Sequence, residues 1–120
     1  MAASLYERLG GKERITRLAK DVVEAHYTNP LIKARFEQIE NRGKFEQNVA
    51  DFFCAGSGGP QSYKGKEVLA AHRHMNISEQ ELVAAIDDIM GVMTKNGYEQ
   101  AEKSDVLAIL YSLKSDVVRV

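Results

Sequence analysis

Apolar residues recur along most of this chain at intervals of three and four, the spacing that lines up one face of an α-helix. Ile15, Leu18, Ala19, Val22, Val23 and His26 follow it with charged residues between them, so they mark one buried helix face. Phe45, Val49, Phe52 and Phe53 mark a second, with Asn48 on much the same side. Leu82, Ile86, Ile89, Met90 and Met93 give a long third face, and Val106, Ile109, Leu110, Leu113 and Val117 a fourth. No alternating polar and apolar run is long enough to demand a sheet, and no internal repeat is visible. The pattern predicts an all-α fold.

Punctuation between these faces supplies the element ends. Ser4 with Glu7, and Ser78 with Glu81, are capping-box pairs that open helices. Gly10-Gly11 ends the first short helix, and Pro30 interrupts the second because proline lacks an amide hydrogen. Leu31, Ile32 and Phe36 then form a short apolar turn, followed by a polar connection from Glu40 to Gly43. The run Gly56-Ser57-Gly58-Gly59-Pro60 is a corner, and residues 61–65, carrying Tyr63, read as a loop. Val68, Leu69 and His72 mark a short helix with Met75 one turn beyond on the same side, and Asn96-Gly97 turns the chain before the last helix.

Length limits what these helices can build. A chain of 120 residues, 44% apolar and 28% charged, forms one domain spanning 1–120 with one core. Sixteen basic and seventeen acidic residues nearly cancel without forming a stripe, which argues against a nucleic-acid partner. The single cysteine, Cys54, lies in an apolar run and reads as core packing in a reducing compartment. The first residues lack the apolar stretch of a signal peptide and no run approaches membrane-spanning length, so a soluble cytoplasmic protein without membrane insertion is expected.

Candidate chemistry is sparse. His26, His72 and His74 lack zinc-site spacing, and the glycine corner lacks the lysine and hydroxyl residue of a phosphate loop. Asp87-Asp88 reads as a solvated face, since neighbours on a helix point apart. Met75, Met90 and Met93 fit a flexible lining or ordinary core. His72 stands on an apolar side with Val68, where a neutral imidazole can bind iron, although packing or surface is the commoner place for such a residue. His26 is read as a partly buried residue satisfied by a backbone or acidic partner, with a distal donor or second axial ligand as the alternative.

The order of motifs says more than any of them singly. Leu5-Tyr6-Glu7-Arg8-Leu9-Gly10-Gly11, Phe52-Phe53-Cys54, Gly58-Gly59-Pro60, Tyr63, Gly65, Ala71-His72 and Ile77-Ser78 follow one another in a way that resembles the truncated haemoglobins, most closely group I, over almost the whole chain. The resemblance implies a two-over-two helical sandwich holding haem b (iron protoporphyrin IX), with His72 as the proximal iron ligand. It implies further that Phe36, Phe45, Asn48, Val49, Tyr63, Val68, Leu82, Ile86, Ile89 and Met93 contact the cofactor, with Ile109 and Leu113 behind. Lys64 or Lys66 would meet a propionate or simply be solvated.

The distal side departs from the family pattern. Val23 falls where many relatives carry a ligand-contacting tyrosine, and Tyr27 lies one turn further along. Val23, Tyr27, Phe45 and Val49 are therefore the expected ligand-contacting set, with a register that can slip by one because the Phe36–Phe45 segment is one residue longer. What the resemblance implies for function is reversible binding of oxygen or another diatomic ligand such as nitric oxide, as in oxygen transport. The alternatives are nitric oxide dioxygenation with a separate reductase and, from another class, a haem-free helical interaction module.

Overall fold

Two capping boxes set the first and the longest C-terminal helix of the computed structural model, which describes residues 3–60 and 68–120. Ser4 Oγ accepts from the Glu7 amide at 3.1 Å and opens α1, Leu5–Arg8. Gly10 follows at φ 99°, where a Cβ would lie 2.3 Å from the Arg14 side chain, so glycine is required both by dihedral and by space. Next comes α2, Gly11–Thr28, which stops at Asn29. Pro30 holds Asn29 in an extended conformation, with φ −87° and ψ 110°.

The short α3, Lys33–Glu37, leads to α4, Arg42–Gly56. The expected loop from Glu40 to Gly43 is thus shorter than the sequence suggested. Asn41 Oδ1 accepts from the Lys44 amide at 3.0 Å, so the polar residues after Asn41 are a capped first turn. From residue 68 onward come α5, Val68–His72, α6, Glu79–Lys95, and α7, Gln100–Ser112, followed by a 3-10 turn, Lys114–Asp116. Gly97 at φ 83° makes the turn expected at Asn96-Gly97. Val117 lies past the end of α7 rather than on it.

These elements stack as two layers. α2 packs across α4 and against α6, α6 packs on α7, and α1 touches α2 and α7, which gives a two-over-two sandwich of α2 and α4 over α6 and α7. An isolated parallel bridge between Ile77 and Val118 is the single strand-like pairing among the described residues. All six residues of the predicted α2 face are buried. Of these, Ile15, Leu18 and Val22 join Phe53 and Cys54 of α4 and Ile89, Val92 and Met93 of α6 in one core, each large aliphatic or aromatic side chain contributing about 1.5–3 kcal/mol on burial. Burial pushes the Cys54 thiol up, in keeping with a packing role. No described helix is long and apolar enough to cross a membrane.

Candidate functional site around His72

The last residue of α5 carries the most informative side chain. His72 Nδ1 lies 2.8 Å from the Val68 carbonyl oxygen, one turn back. A carbonyl only accepts, so Nδ1 carries the proton and donates it, and the lone pair is left on Nε2. The ring is half-buried. Nothing in α5 beyond Val68 is needed for this bond, which explains how a helix of five residues can orient the ring.

The chain leaves His72 in an irregular path. The Met75 amide donates to the His72 carbonyl at 3.1 Å, and His74 and Asn76 adopt left-handed dihedrals, φ 71° and 51°. Such dihedrals cost a non-glycine residue about 1–2 kcal/mol, less for asparagine, whose side chain tolerates them. Met75 is therefore not one helical turn beyond His72, and the expected shared face ends at His72 itself. Sequence periodicity could not show this, because Arg73 and His74 are acceptable helix residues by type.

Helix α4 has two apolar sides. Ala50, Phe53 and Cys54 are buried and Val49 packs against the same core, whereas Phe45, Asn48 and Phe52 lie half-buried toward another side. A helix apolar on both sides calls for a second apolar neighbour. The main packing of α5 among the described residues is against the 3-10 turn and not against α4, so α5 does not supply that cover.

Phe36 extends this half-covered wall. Its ring centroid lies 5.8 Å from that of Phe45, 6.0 Å from Tyr27 and 4.9 Å from His26, on which it stacks. The Arg42 guanidinium sits 4.4 Å from the Tyr27 ring centre and is fixed by Glu24 at 2.8 Å and Glu46 at 3.1 Å. Thus Tyr27, Phe36 and Phe45, three expected site residues from three helices, come together. Val23 is fully buried. Leu82 and Val68 are half-buried, while Ile86, Ile89 and Met93 are buried, the last two within the main core. Tyr63, Lys64 and Lys66 lie outside the described residues.

His26 finds an acidic partner, as expected from its place on the apolar face. Its Nδ1 donates to Asp88 Oδ2 at 2.8 Å, and Asn29 Nδ2 donates to both Asp88 oxygens at 3.0 and 3.2 Å. Burial pushes the His26 imidazole below its usual range, and the Asp88 carboxylate opposes that only in part. The reading of Asp87-Asp88 as a solvated pair is overturned at Asp88. Asp87 is exposed, but Asp88 turns inward to serve His26 of α2 and Asn29, the residue that ends that helix.

Arg35 and Glu81 were also missed as partners. They form a two-pronged ion pair at 2.7 and 3.0 Å between α3 and the start of α6. The sequence signalled Glu81 as a cap, and nothing marked Arg35. No three His, Cys, Asp or Glu side chains converge among the described residues. A metal bound through His72 would therefore take most of its ligands from a prosthetic group. An imidazole whose Nδ1 is taken by the Val68 carbonyl and, on α3 and α4, a half-covered apolar set around Phe36 and Phe45 are the kinds of residues that fit haem b.

Comparison with known proteins gives the same direction. A family model described as bacterial-like globin matches residues 4–119. Group 1 truncated haemoglobins of Tetrahymena pyriformis and Tetrahymena thermophila are each 23% identical, covering 96% and 94% of this chain and 94% and 93% of their own. In structure, the chain superposes on the Fe(III) form of the Tetrahymena pyriformis truncated haemoglobin with a TM-score of 0.93 at 21% identity, covering 98% of this chain and 100% of that one. It is also similar to the 2/2 haemoglobin of a Synechococcus species, crystallised in the cyanomet state with covalently attached haem, at a TM-score of 0.86 and 22% identity over 97% and 98% of the two chains.

Proposed function

Since this chain belongs to the bacterial-like globin family, we propose that it holds haem b through His72 and binds a diatomic ligand, oxygen or nitric oxide, reversibly. The single observation that carries the assignment to His72 is the hydrogen bond from Nδ1 to the Val68 carbonyl, 2.8 Å long. It fixes the tautomer that leaves Nε2 free to donate, and it makes that nitrogen a stronger donor. When bound, the haem supplies the iron at which the small ligand is exchanged.

The remaining work falls to the chain's own side chains. Phe36 and Phe45 offer flat apolar contact from two helices, and Phe36 is kept in place by the His26 and Tyr27 rings. Val49, Phe45 and Leu82 would exclude water from the cofactor face, with Val68 and Asn48 at its edge. Tyr63 is proposed to shape the loop that leads to His72. Ile86, Ile89 and Met93, buried on α6, would back this wall.

Hydrogen-bond donors are few on the ligand side. Val23, Phe45 and Val49 have none in their side chains, and Tyr27 is clasped between Arg42 and Phe36. Bound oxygen gains from a nearby donor, whereas carbon monoxide gains less. The proposed site therefore releases oxygen quickly.

Haem titration of purified protein, followed by ferrous and carbon-monoxide difference spectra, tests the assignment. One haem per chain with a Soret shift on adding carbon monoxide is expected. Failure to take up haem in that ratio would overturn it and favour the haem-free interaction module.

A further inference from the structure

Arg35 joins three parts of the chain that are far apart in sequence. Its Nε and Nη2 donate to the two carboxylate oxygens of Glu81 at 2.7 and 3.0 Å, and its Nη1 donates to the Met75 carbonyl at 2.8 Å. A planar guanidinium suits this task, since its donors point in fixed directions. Glu81 is fixed in turn, because its Oε1 accepts from the Ser78 amide at 3.0 Å and its own amide donates to Ser78 Oγ at 3.1 Å. The latch thus spans α3, the start of α6 and the connection that leaves His72.

That connection is held from its other side as well. The Asn76 amide donates to the Val120 carbonyl at 3.1 Å, and the Arg119 amide donates to the Ile77 carbonyl at 2.9 Å. Both backbone groups of Met75 are engaged, the amide by His72 and the carbonyl by Arg35. A path with left-handed dihedrals at His74 and Asn76 persists only where its surroundings over-determine it. Five residues of helix are too few to hold their own last turn without such support.

We infer that Arg35 is a positioning residue for His72: through Glu81 and the Met75 carbonyl it fixes the end of α5, and with it the direction in which the His72 ring presents Nε2. This inference rests on the proposed ligation by His72. Groups that orient a metal ligand typically change metal affinity by roughly 10–100-fold when removed.

The test uses haem-loaded protein carrying Arg35→Met, Arg35→Lys or Glu81→Gln. Three quantities are read: the iron–histidine stretching band of the ferrous form by resonance Raman, the rate of haem transfer to excess apomyoglobin, and the thermal midpoint. Arg35→Met is expected to lose haem about tenfold faster with a shifted or broadened band, and Arg35→Lys to recover part of both. A lower midpoint with an unchanged band and unchanged haem loss would make Arg35 a general stabiliser and overturn the inference. Should Arg35→Met not fold, Glu81→Gln decides the matter by the same readouts, since glutamine retains the cap but not the ion pair. Spectra that His72→Ala leaves unchanged in otherwise wild-type protein would overturn the ligation reading itself. Spectra that do depend on it, together with an unmoved band in the latch variants, overturn the positioning role alone.

Discussion

His26 Nδ1 stands 2.8 Å from Asp88 Oδ2, so a buried ring on α2 is tied to a carboxylate on α6 across the contact between the two layers. Asn29 completes the arrangement from the end of α2. The same ring stacks on Phe36, which in turn meets Tyr27 and Phe45. A polar junction between layers is therefore continuous with the aromatic wall of the candidate site.

Removing Asp88 should be costly for stability. Asp88→Ala leaves the His26 ring nitrogen and the Asn29 amide without their shared acceptor, and a buried donor left unpaired costs about 1–3 kcal/mol. Chemical denaturation should show a loss of that order with the cooperativity of unfolding kept. A loss below about 0.5 kcal/mol would mean that water replaces the carboxylate freely.

His26 also gives stability a pH dependence of definite sign. Its folded pKa lies below the ordinary value of 6.5, chiefly through burial, so the unfolded chain takes up the proton first. The neutral ring's contribution is complete above that unfolded value and is lost as pH falls through the folded one. The difference in unfolding free energy between wild type and His26→Gln should shrink as the pH is lowered from 7 through that window. A difference that stays constant or grows would contradict the sign.

The Glu81 carboxyl behaves differently. The Arg35 guanidinium, followed by the Ser78 contacts, holds it down to about 2 from an ordinary 4.5. Its contribution is complete above 4.5 and is lost progressively as pH falls toward about 2. Because both side chains remain partly open to solvent, the effect is screened to about 1 kcal/mol. Glu81→Gln should cost that much at neutral pH and nearly nothing at the acid end of the window, as measured by parallel denaturation curves.

Tyr98 offers a prediction independent of any cofactor. Its buried hydroxyl donates to the Leu9 carbonyl, and Arg14 lies 4.5 Å from its ring centre. Tyr98→Phe keeps the packing and removes one hydrogen bond, so a loss of about 1–2 kcal/mol is expected in the thermal midpoint converted at constant unfolding enthalpy. No shift would show that the Leu9 carbonyl finds another donor.

What the chain made legible follows from the range of each interaction. The α2 face from Ile15 to His26 and the capping pairs Ser4–Glu7 and Ser78–Glu81 depend on residues three or four apart, and all appear as expected. The acidic partner of His26 was foreseen as a type but not as Asp88, which lies 62 residues away. The pairing of Arg35 with Glu81, 46 residues apart, left no local trace for the same reason, although Glu81 was legible as a cap. Met75 misled because helical spacing continues through residues whose backbone does not. The grouping of Tyr27, Phe36 and Phe45 came from the resemblance to truncated haemoglobins, since apolar spacing alone cannot distinguish a core face from a cofactor wall.

The central claim is that His72 Nε2 is the iron ligand, and chemical rescue tests it most directly. Ferrous and carbon-monoxide spectra of haem-loaded His72→Ala should lose the signature of a histidine-bound iron, and millimolar imidazole should restore it by occupying the space of the missing ring. Spectra of His72→Ala that match wild type without imidazole would contradict the claim and place the ligand elsewhere in the chain.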